Sequence, residues 1–105
     1  MLTQASILDA VQRVLAAAAG AEVVVFGSRA RGNAHGDSDL DLLVIEPEVT
    51  SRRDEMVRLS DVLRPLKIPV DILVVSRKTF DEWANTPGTV IYEAAREGKR
   101  FRQVA

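Results

Sequence analysis

The sequence predicts an α/β (α+β) fold in which a three-stranded mixed sheet is flanked by helices. Three short runs rich in β-branched and apolar residues, Glu22 to Phe26, Leu40 to Ile45 and Val70 to Val75, have the length and composition of buried strands. Stretches with helical spacing of apolar residues precede, separate and follow these runs. Helices that alternate with strands usually cover a common sheet, and 105 residues suffice for one domain over residues 1–105.

The first predicted helix runs from Thr3 to Gly20. Thr3 is of a type that caps helix N-termini, and Gly20 provides a natural C-terminal stop. Between them, apolar residues recur at helical spacing at Ile7, Leu8, Val11, Val14, Leu15 and Ala18. A second helix is predicted after Ser51, which with Asp54 forms a variant capping box, and Pro65 and Pro69 mark its end.

Two further helices are predicted after the third strand. Ser76 is expected to cap a short helix that extends to Trp83, and the turn Thr86-Pro87-Gly88 leads into a last helix that Gly98 closes. The basic segment that follows, Lys99 to Arg102, is expected to be a solvated tail. The predicted order is therefore α-β-(short α)-β-α-β-α-α.

Composition excludes several classes of protein. The 14 basic residues nearly cancel the 15 acidic ones, so no positive surface for binding long nucleic acid is expected. The absence of cysteine excludes disulfides, a thiolate zinc site and a cysteine nucleophile, and it suits a reducing cytosol. No signal-peptide pattern and no apolar run long enough to span a bilayer is present, so we expect a cytoplasmic protein that does not bind membranes.

Two aspartates at the start of the second strand point to metal chemistry. Because side chains alternate along a strand, Asp39 and Asp41 project to one side and Leu40 and Leu42 to the other. Two carboxylates so close favour a divalent cation between them, and hard oxygen ligands suit magnesium. Asp71 offers a third carboxylate at the start of the next apolar strand, where a charge gains nothing from packing.

The turn after the first strand is a candidate nucleotide-binding element. Gly27 and Ser28 lack bulk and offer a hydroxyl and backbone N–H groups that cradle triphosphate oxygens, and Arg29 or Arg31 can add charge-assisted contacts. If the end of strand one meets the starts of strands two and three, strand one is antiparallel to the other two, which are mutually parallel.

Two common motifs do not explain the same stretch. Asn33 and Ala34 stand where a Walker A loop needs Lys and Ser or Thr. Leu42 replaces the glycine that a calcium-binding EF-hand loop requires. Gly27-Ser28, ten intervening residues and then Asp39-Leu40-Asp41, with Asp71 as a third acid, instead resemble the signature of the DNA polymerase β-like nucleotidyltransferase superfamily, particularly its minimal nucleotidyltransferase branch.

The resemblance covers most of the chain and implies a nucleotidyltransferase fold and activity. It implies transfer of AMP from ATP to a hydroxyl, with two Mg²⁺ ions bound by Asp39, Asp41 and Asp71. In that family, Asp71 would serve the second metal or accept the proton of the attacking hydroxyl. Minimal members often accompany a helical HEPN-type ribonuclease toxin and silence it by modifying a tyrosine, so an antitoxin role is implied.

Two alternatives to a protein adenylyltransferase stay open from the sequence. The chain could be a non-catalytic nucleotide-binding module that neutralises its partner by contact alone, although it retains Gly27, Ser28 and all three acids. It could also act on a small molecule such as an aminoglycoside, or on an RNA end. No residue that reads the base can be identified, so the preferred nucleotide and the acceptor are not predicted.

Overall fold

The structure is a computed structural model that describes residues 3–27 and 39–103. Within these residues the helices are α1 (Gln4–Ala17), α2 (Arg52–Leu63), α3 (Arg77–Trp83) and α4 (Val90–Glu97), with a 3-10 turn at Arg64–Leu66. The strands are β1 (Glu22–Phe26), β2 (Leu40–Glu46), β3 (Val70–Ser76) and β4 (Lys99–Arg102). The short helix predicted between the first two strands falls outside the described residues.

The strands form a mixed sheet in the order β3-β2-β1-β4. β1 runs antiparallel to β2, with Phe26 opposite Asp41, and β2 runs parallel to β3, with Asp41 opposite Asp71. This arrangement confirms the predicted mixed sheet and the predicted directions of its first three strands.

The prediction of three strands and a solvated basic tail is wrong, because the tail forms the fourth strand. β4 pairs antiparallel with β1, from Val25 opposite Lys99 to Glu22 opposite Arg102. Phe101 packs against the core on one face, while Arg100 and Arg102 approach the buried Glu22 on the other. Three basic residues in four look solvated in sequence, but a buried carboxylate on the neighbouring strand gives two of them a partner.

Helices cover both faces of the sheet, which accounts for the continuous apolar character of the strands. Residues of alternate strand positions, including Leu40, Leu42 and Val44, pack against α1 and α2. The intervening positions, including Leu43 and Ile45, pack with Phe80 of α3 and Ala94 of α4. The two faces therefore carry two separate apolar layers, as expected for strands buried on both sides.

The three predicted N-terminal caps are confirmed. The hydroxyls of Thr3, Ser51 and Ser76 accept hydrogen bonds from the backbone N–H groups three residues later, at 3.0, 3.3 and 3.1 Å. Thr89 caps α4 in the same way through the N–H of Tyr92 at 3.1 Å, a cap that the sequence pattern did not single out. None of the helices described is long and apolar enough to cross a membrane.

Candidate active site

The sheet brings Asp41 and Asp71 side by side. They are direct partners in the parallel register of β2 and β3, so their side chains leave the same face of the sheet. Leu40 and Leu42, on either side of Asp41, are fully buried against the α1 and α2 layer. The burial of these two leucines therefore fixes the Asp41 side chain on the opposite face.

The part of that face around the two aspartates is accessible. Farther along the same face, Ile45 and Val75 are buried with Phe80 beneath α3 and α4. Asp41 is half-buried and Asp71 is exposed. Because the burial cost of a carboxylate is large, an accessible end of the sheet is where two charged groups can lie together.

Gly27 lies directly against the Asp41 carboxylate. Its φ of 75° is in the left-handed region. A Cβ built on it would overlap Oδ2 of Asp41 and lie 3.2 Å from Cγ. Position 27 thus requires glycine for two independent reasons, its backbone conformation and the approach of the carboxylate. The backbone of Gly27, the first residue of the predicted turn after β1, is thus in contact with an acid of the candidate site, and the rest of that turn lies outside the described residues.

Asp39 immediately precedes β2 and is exposed. Next to it, the N–H of Leu40 donates to the carbonyl of Pro69 at 2.9 Å, which ties the start of β2 to the segment before β3. The other predicted contributors, Ser28, Arg29 and Arg31, lie outside the described residues.

The described side chains do not assemble a three-ligand metal cluster. No group of three or more His, Cys, Asp or Glu residues within 3–27 and 39–103 is placed to hold a metal ion. Asp41 and Asp71 are cross-strand neighbours, whereas Asp39 is not joined to them in one cluster. Like charges repel without a counter-ion, and Mg²⁺ commonly takes only one or two protein carboxylates, so the donor chemistry of the Asp41 and Asp71 pair fits this ion.

A charged cluster that the sequence did not indicate surrounds Glu22 at the other end of the same face. Arg77 donates to its carboxylate at 3.0 Å and Arg102 at 3.2 Å, and Arg100 lies 3.9 Å away. Burial raises the pKa of Glu22, but the hydrogen bonds and charges of these arginines outweigh it and leave the pKa below its usual value. The guanidiniums of Arg77 and Arg100 also lie 5.6 and 5.1 Å from the centroid of the Phe80 ring.

A second unpredicted cluster lies at the C-terminal end of β2. Burial, followed by the hydrogen bond and charge of Glu55, raises the pKa of Glu46 to about 7. Hydrogen bonds from Arg58 and then Glu46 lower the pKa of Glu55 to about 2. The proton of the pair therefore resides on Glu46. Glu46 closes an apolar strand, which in sequence looks like the ordinary polar end of a strand.

Two surface concavities formed by described residues lie away from the aspartate pair. A groove of about 520 Å³ follows one exposed face of α2, from Arg52 to Arg64. A cavity of about 370 Å³ lies between the end of β2 and α2 and includes Glu46 and Glu55 in its wall.

Fold and site together define a nucleotidyltransferase domain, and comparison with known families gives the same result. The sequence profile of the nucleotidyltransferase domain matches residues 6–100, and the chain belongs to this family. The match includes Gly27 and all three aspartates. No curated protein sequence matches.

Solved structures with a similar fold come from toxin–antitoxin systems. One is a chain from a toxin–antitoxin complex with AMP-PNP, at a TM-score of 0.62 and 16% identity, covering 97% of this chain and 75% of that one. Another is from a mutant of the toxin–antitoxin pair MntA-HpeT in which two aspartates are replaced by glutamate, at a TM-score of 0.58, 14% identity and the same coverage, 97% and 75%. At these identities the likeness establishes the fold.

Proposed function

We propose that this chain is a magnesium-dependent nucleotidyltransferase that transfers AMP from ATP to a hydroxyl, most simply a tyrosine, of a partner protein. The observation that carries the proposal is the cross-strand pairing of Asp41 with Asp71 beside Gly27, in a chain of the nucleotidyltransferase domain family. Carboxylates at an accessible sheet end, with a close-approaching glycine turn, suit phosphoryl transfer, in which the protein chiefly positions charge.

Each residue of the site has a defined role in this proposal. Asp39 and Asp41 would hold the first Mg²⁺, and Asp71 would either contribute to the second or accept the proton of the attacking hydroxyl. The ions would supply positive charge for the entering and leaving oxygens. Gly27 and Ser28 present backbone N–H groups and a hydroxyl to the triphosphate. Arg29 and Arg31 add charge-assisted hydrogen bonds to its oxygens.

The transfer needs no reactant other than ATP and the acceptor hydroxyl. The acceptor oxygen forms a bond to the α-phosphorus of ATP while the bond between that phosphorus and the pyrophosphate oxygen breaks. A carboxylate of the site, for which Asp71 is the candidate, accepts the proton of the attacking hydroxyl, and pyrophosphate leaves with the electron pair. The products are an adenylylated acceptor and pyrophosphate.

The partner in this proposal is a helical HEPN-type toxin that adenylylation silences, which makes the chain an antitoxin. The support is the fold shared with chains from toxin–antitoxin structures, one of them with AMP-PNP. Fold alone does not name an acceptor. The acceptor therefore has to be found by label transfer.

The experiment combines the protein, Mg²⁺, each α-labelled nucleoside triphosphate in turn, and a candidate helical partner protein. Asp39→Asn and Asp41→Asn are compared with wild type, and Asp81→Asn is the control because Asp81 is exposed on α3, away from the aspartate pair. We expect label from ATP on a tyrosine of the partner, lost in the first two variants and retained in the third. Absence of label on the partner, or transfer that survives in both site variants, would contradict the proposal.

A further inference from the structure

The cavity between the end of β2 and α2 is acidic. Its volume is about 370 Å³. Four carboxylates line it with a single arginine, and the complete lining is Glu46, Glu48, Val49, Thr50, Ser51, Asp54, Glu55 and Arg58. Asp41 lies near the opposite end of β2, so this cavity is separate from the candidate active site.

Glu46 has an oxygen that nothing in the described protein satisfies. The residue is only 9% exposed. Its Oε2 is buried and has no hydrogen-bond partner among the residues described. Leaving a buried acceptor without a donor costs about 1–3 kcal/mol, so a buried oxygen usually has a hydrogen-bond partner. The wall of the cavity therefore contains an acceptor that lacks a donor.

Arg58 does not supply that donor, because its guanidinium is engaged elsewhere. Its Nε and Nη2 each donate to Glu55 at 2.7 Å. Its Nη1 donates at 2.9 Å to the carbonyl of Ala17, the last residue of α1. Arg58 thus neutralises Glu55 and satisfies a carbonyl at the C-terminal end of α1.

The four acids of the cavity differ in whether the helix dipole stabilises their negative charge. Asp54 and Glu55 lie in the first turn of α2, where negative charge is favoured by the helix dipole. Glu46 is at the end of β2 and Glu48 is in the following loop, so neither gains from that dipole. Glu48, and Glu46 when it loses its proton, thus add negative charge that the helix dipole does not stabilise.

We propose that this cavity binds the guanidinium of an arginine side chain from a partner protein, with Glu46 and Glu48 as its acceptors. A planar guanidinium matches carboxylates through several N–H donors at once, and the cavity holds a group of that size.

Proton binding and guanidinium binding compete at Glu46. Burial and Glu55 raise its pKa to about 7, while Arg58 opposes that shift, and Glu48 and Asp54 are the other charges around the cavity. A bound guanidinium favours the ionised carboxylate. Binding is therefore expected to strengthen as pH rises from 6 to 8, with release of a proton from Glu46.

The test is an NMR titration of the isotope-labelled protein without nucleotide or Mg²⁺, so its outcome is independent of the transferase proposal. The probes are a capped Gly-Arg-Gly peptide, the matching Gly-Lys-Gly peptide and MgCl₂. Glu46→Gln keeps the shape of the side chain and removes its charge, and Glu93→Gln on the distant α4 is the control. Backbone shifts of each variant first establish that it is folded.

We expect the arginine peptide to shift residues 46–58 and to bind about tenfold more weakly to Glu46→Gln, with Glu93→Gln unchanged. The lysine peptide should bind several-fold more weakly than the arginine peptide. Equal affinity of wild type and Glu46→Gln, no shift with the arginine peptide, or stronger shifts of residues 46–58 with MgCl₂ than with the arginine peptide would overturn the proposal.

Discussion

Gly27 and Asp41 come so close that any side chain at position 27 would overlap the carboxylate of Asp41. The contact connects Gly27, the residue after β1, to Asp41 on β2. On the other side of β2, Asp41 lies opposite Asp71 of β3. A backbone that approaches a carboxylate without a side chain between them leaves its N–H groups available to an anion bound beside that acid.

Replacing Gly27 with alanine is therefore expected to damage both stability and activity. The positive φ costs about 1 kcal/mol in an alanine, and the Cβ displaces the Asp41 carboxylate. Such displacement of a catalytic group typically lowers the transfer rate about 100-fold. Urea denaturation and label transfer measure the two effects.

Gly88 provides a matched control for that substitution. Its φ is +88°, but a Cβ there meets no atom within 4 Å. Gly88→Ala should lose about the same 1 kcal/mol as the backbone term of Gly27→Ala and keep full transfer activity. Equal activity loss in both alanine variants would show that backbone strain, rather than contact with Asp41, is responsible.

Asp71→Asn is expected to stabilise the metal-free protein while abolishing transfer. Like charges directly opposite one another on neighbouring strands destabilise a sheet, and the substitution removes one of the two carboxylates. A ligand that binds only the folded state raises the melting temperature, so Mg²⁺ should raise Tm of wild type more than that of the variant. Thermal unfolding with and without Mg²⁺ measures this difference. An equal rise in Tm in both proteins would show that Asp71 is not part of the proposed metal site.

Local patterns in the sequence predicted the features that depend on residues close together in the chain. The hydroxyls of Thr3, Ser51 and Ser76 each bond the N–H three residues later, so a short window contains the whole interaction. The alternation of Asp41 with Leu40 and Leu42 likewise fixed which side chains share a face. The position of Asp71 near the start of its strand also predicts that it faces the same site as Asp41.

Interactions between distant segments were not predictable in this way. β4 pairs with β1, where Arg102 bonds to Glu22, 80 residues earlier, and Arg77 bonds to the same carboxylate across 55 residues. The bond from Arg58 to the Ala17 carbonyl spans 41 residues. No local pattern contains both partners, so the sequence indicated neither the fourth strand nor the buried acids.

Glu46 should make stability fall as pH rises through neutrality. Its pKa is about 7 in the folded protein and 4.5 ordinarily, so the folded state holds the extra proton between these values. Stability is greatest below 4.5 for this group and declines up to pH 7, by about 1–3 kcal/mol.

The pH dependence of stability that Glu55 contributes has the opposite sign and lies in a lower pH range. Its pKa of about 2 means that its contribution is present above 4.5 and is lost as pH falls toward 2. Glu46→Gln should flatten the stability profile between pH 5 and 7, whereas Glu48→Gln, on the exposed rim of the same cavity, should leave the slope in place. Urea denaturation at half-unit pH steps measures it, and a slope that persists in Glu46→Gln would assign it to another group.

Glu22→Gln is expected to cost more stability than removal of any one of its arginines. Glu22 is buried and serves three guanidiniums, so neutralising it leaves them to repel one another and weakens two hydrogen bonds, at about 2 kcal/mol. Arg102 is 68% exposed, and Arg102→Gln should cost under about 1 kcal/mol.

Because the pKa of Glu22 is lowered on folding, its contribution to stability is present above pH 4.5 and is lost as pH falls below that value. Urea denaturation at pH 7 and pH 3.5 should show the difference between wild type and Glu22→Gln shrink at the lower pH, and a difference that does not change with pH would assign the loss to packing instead.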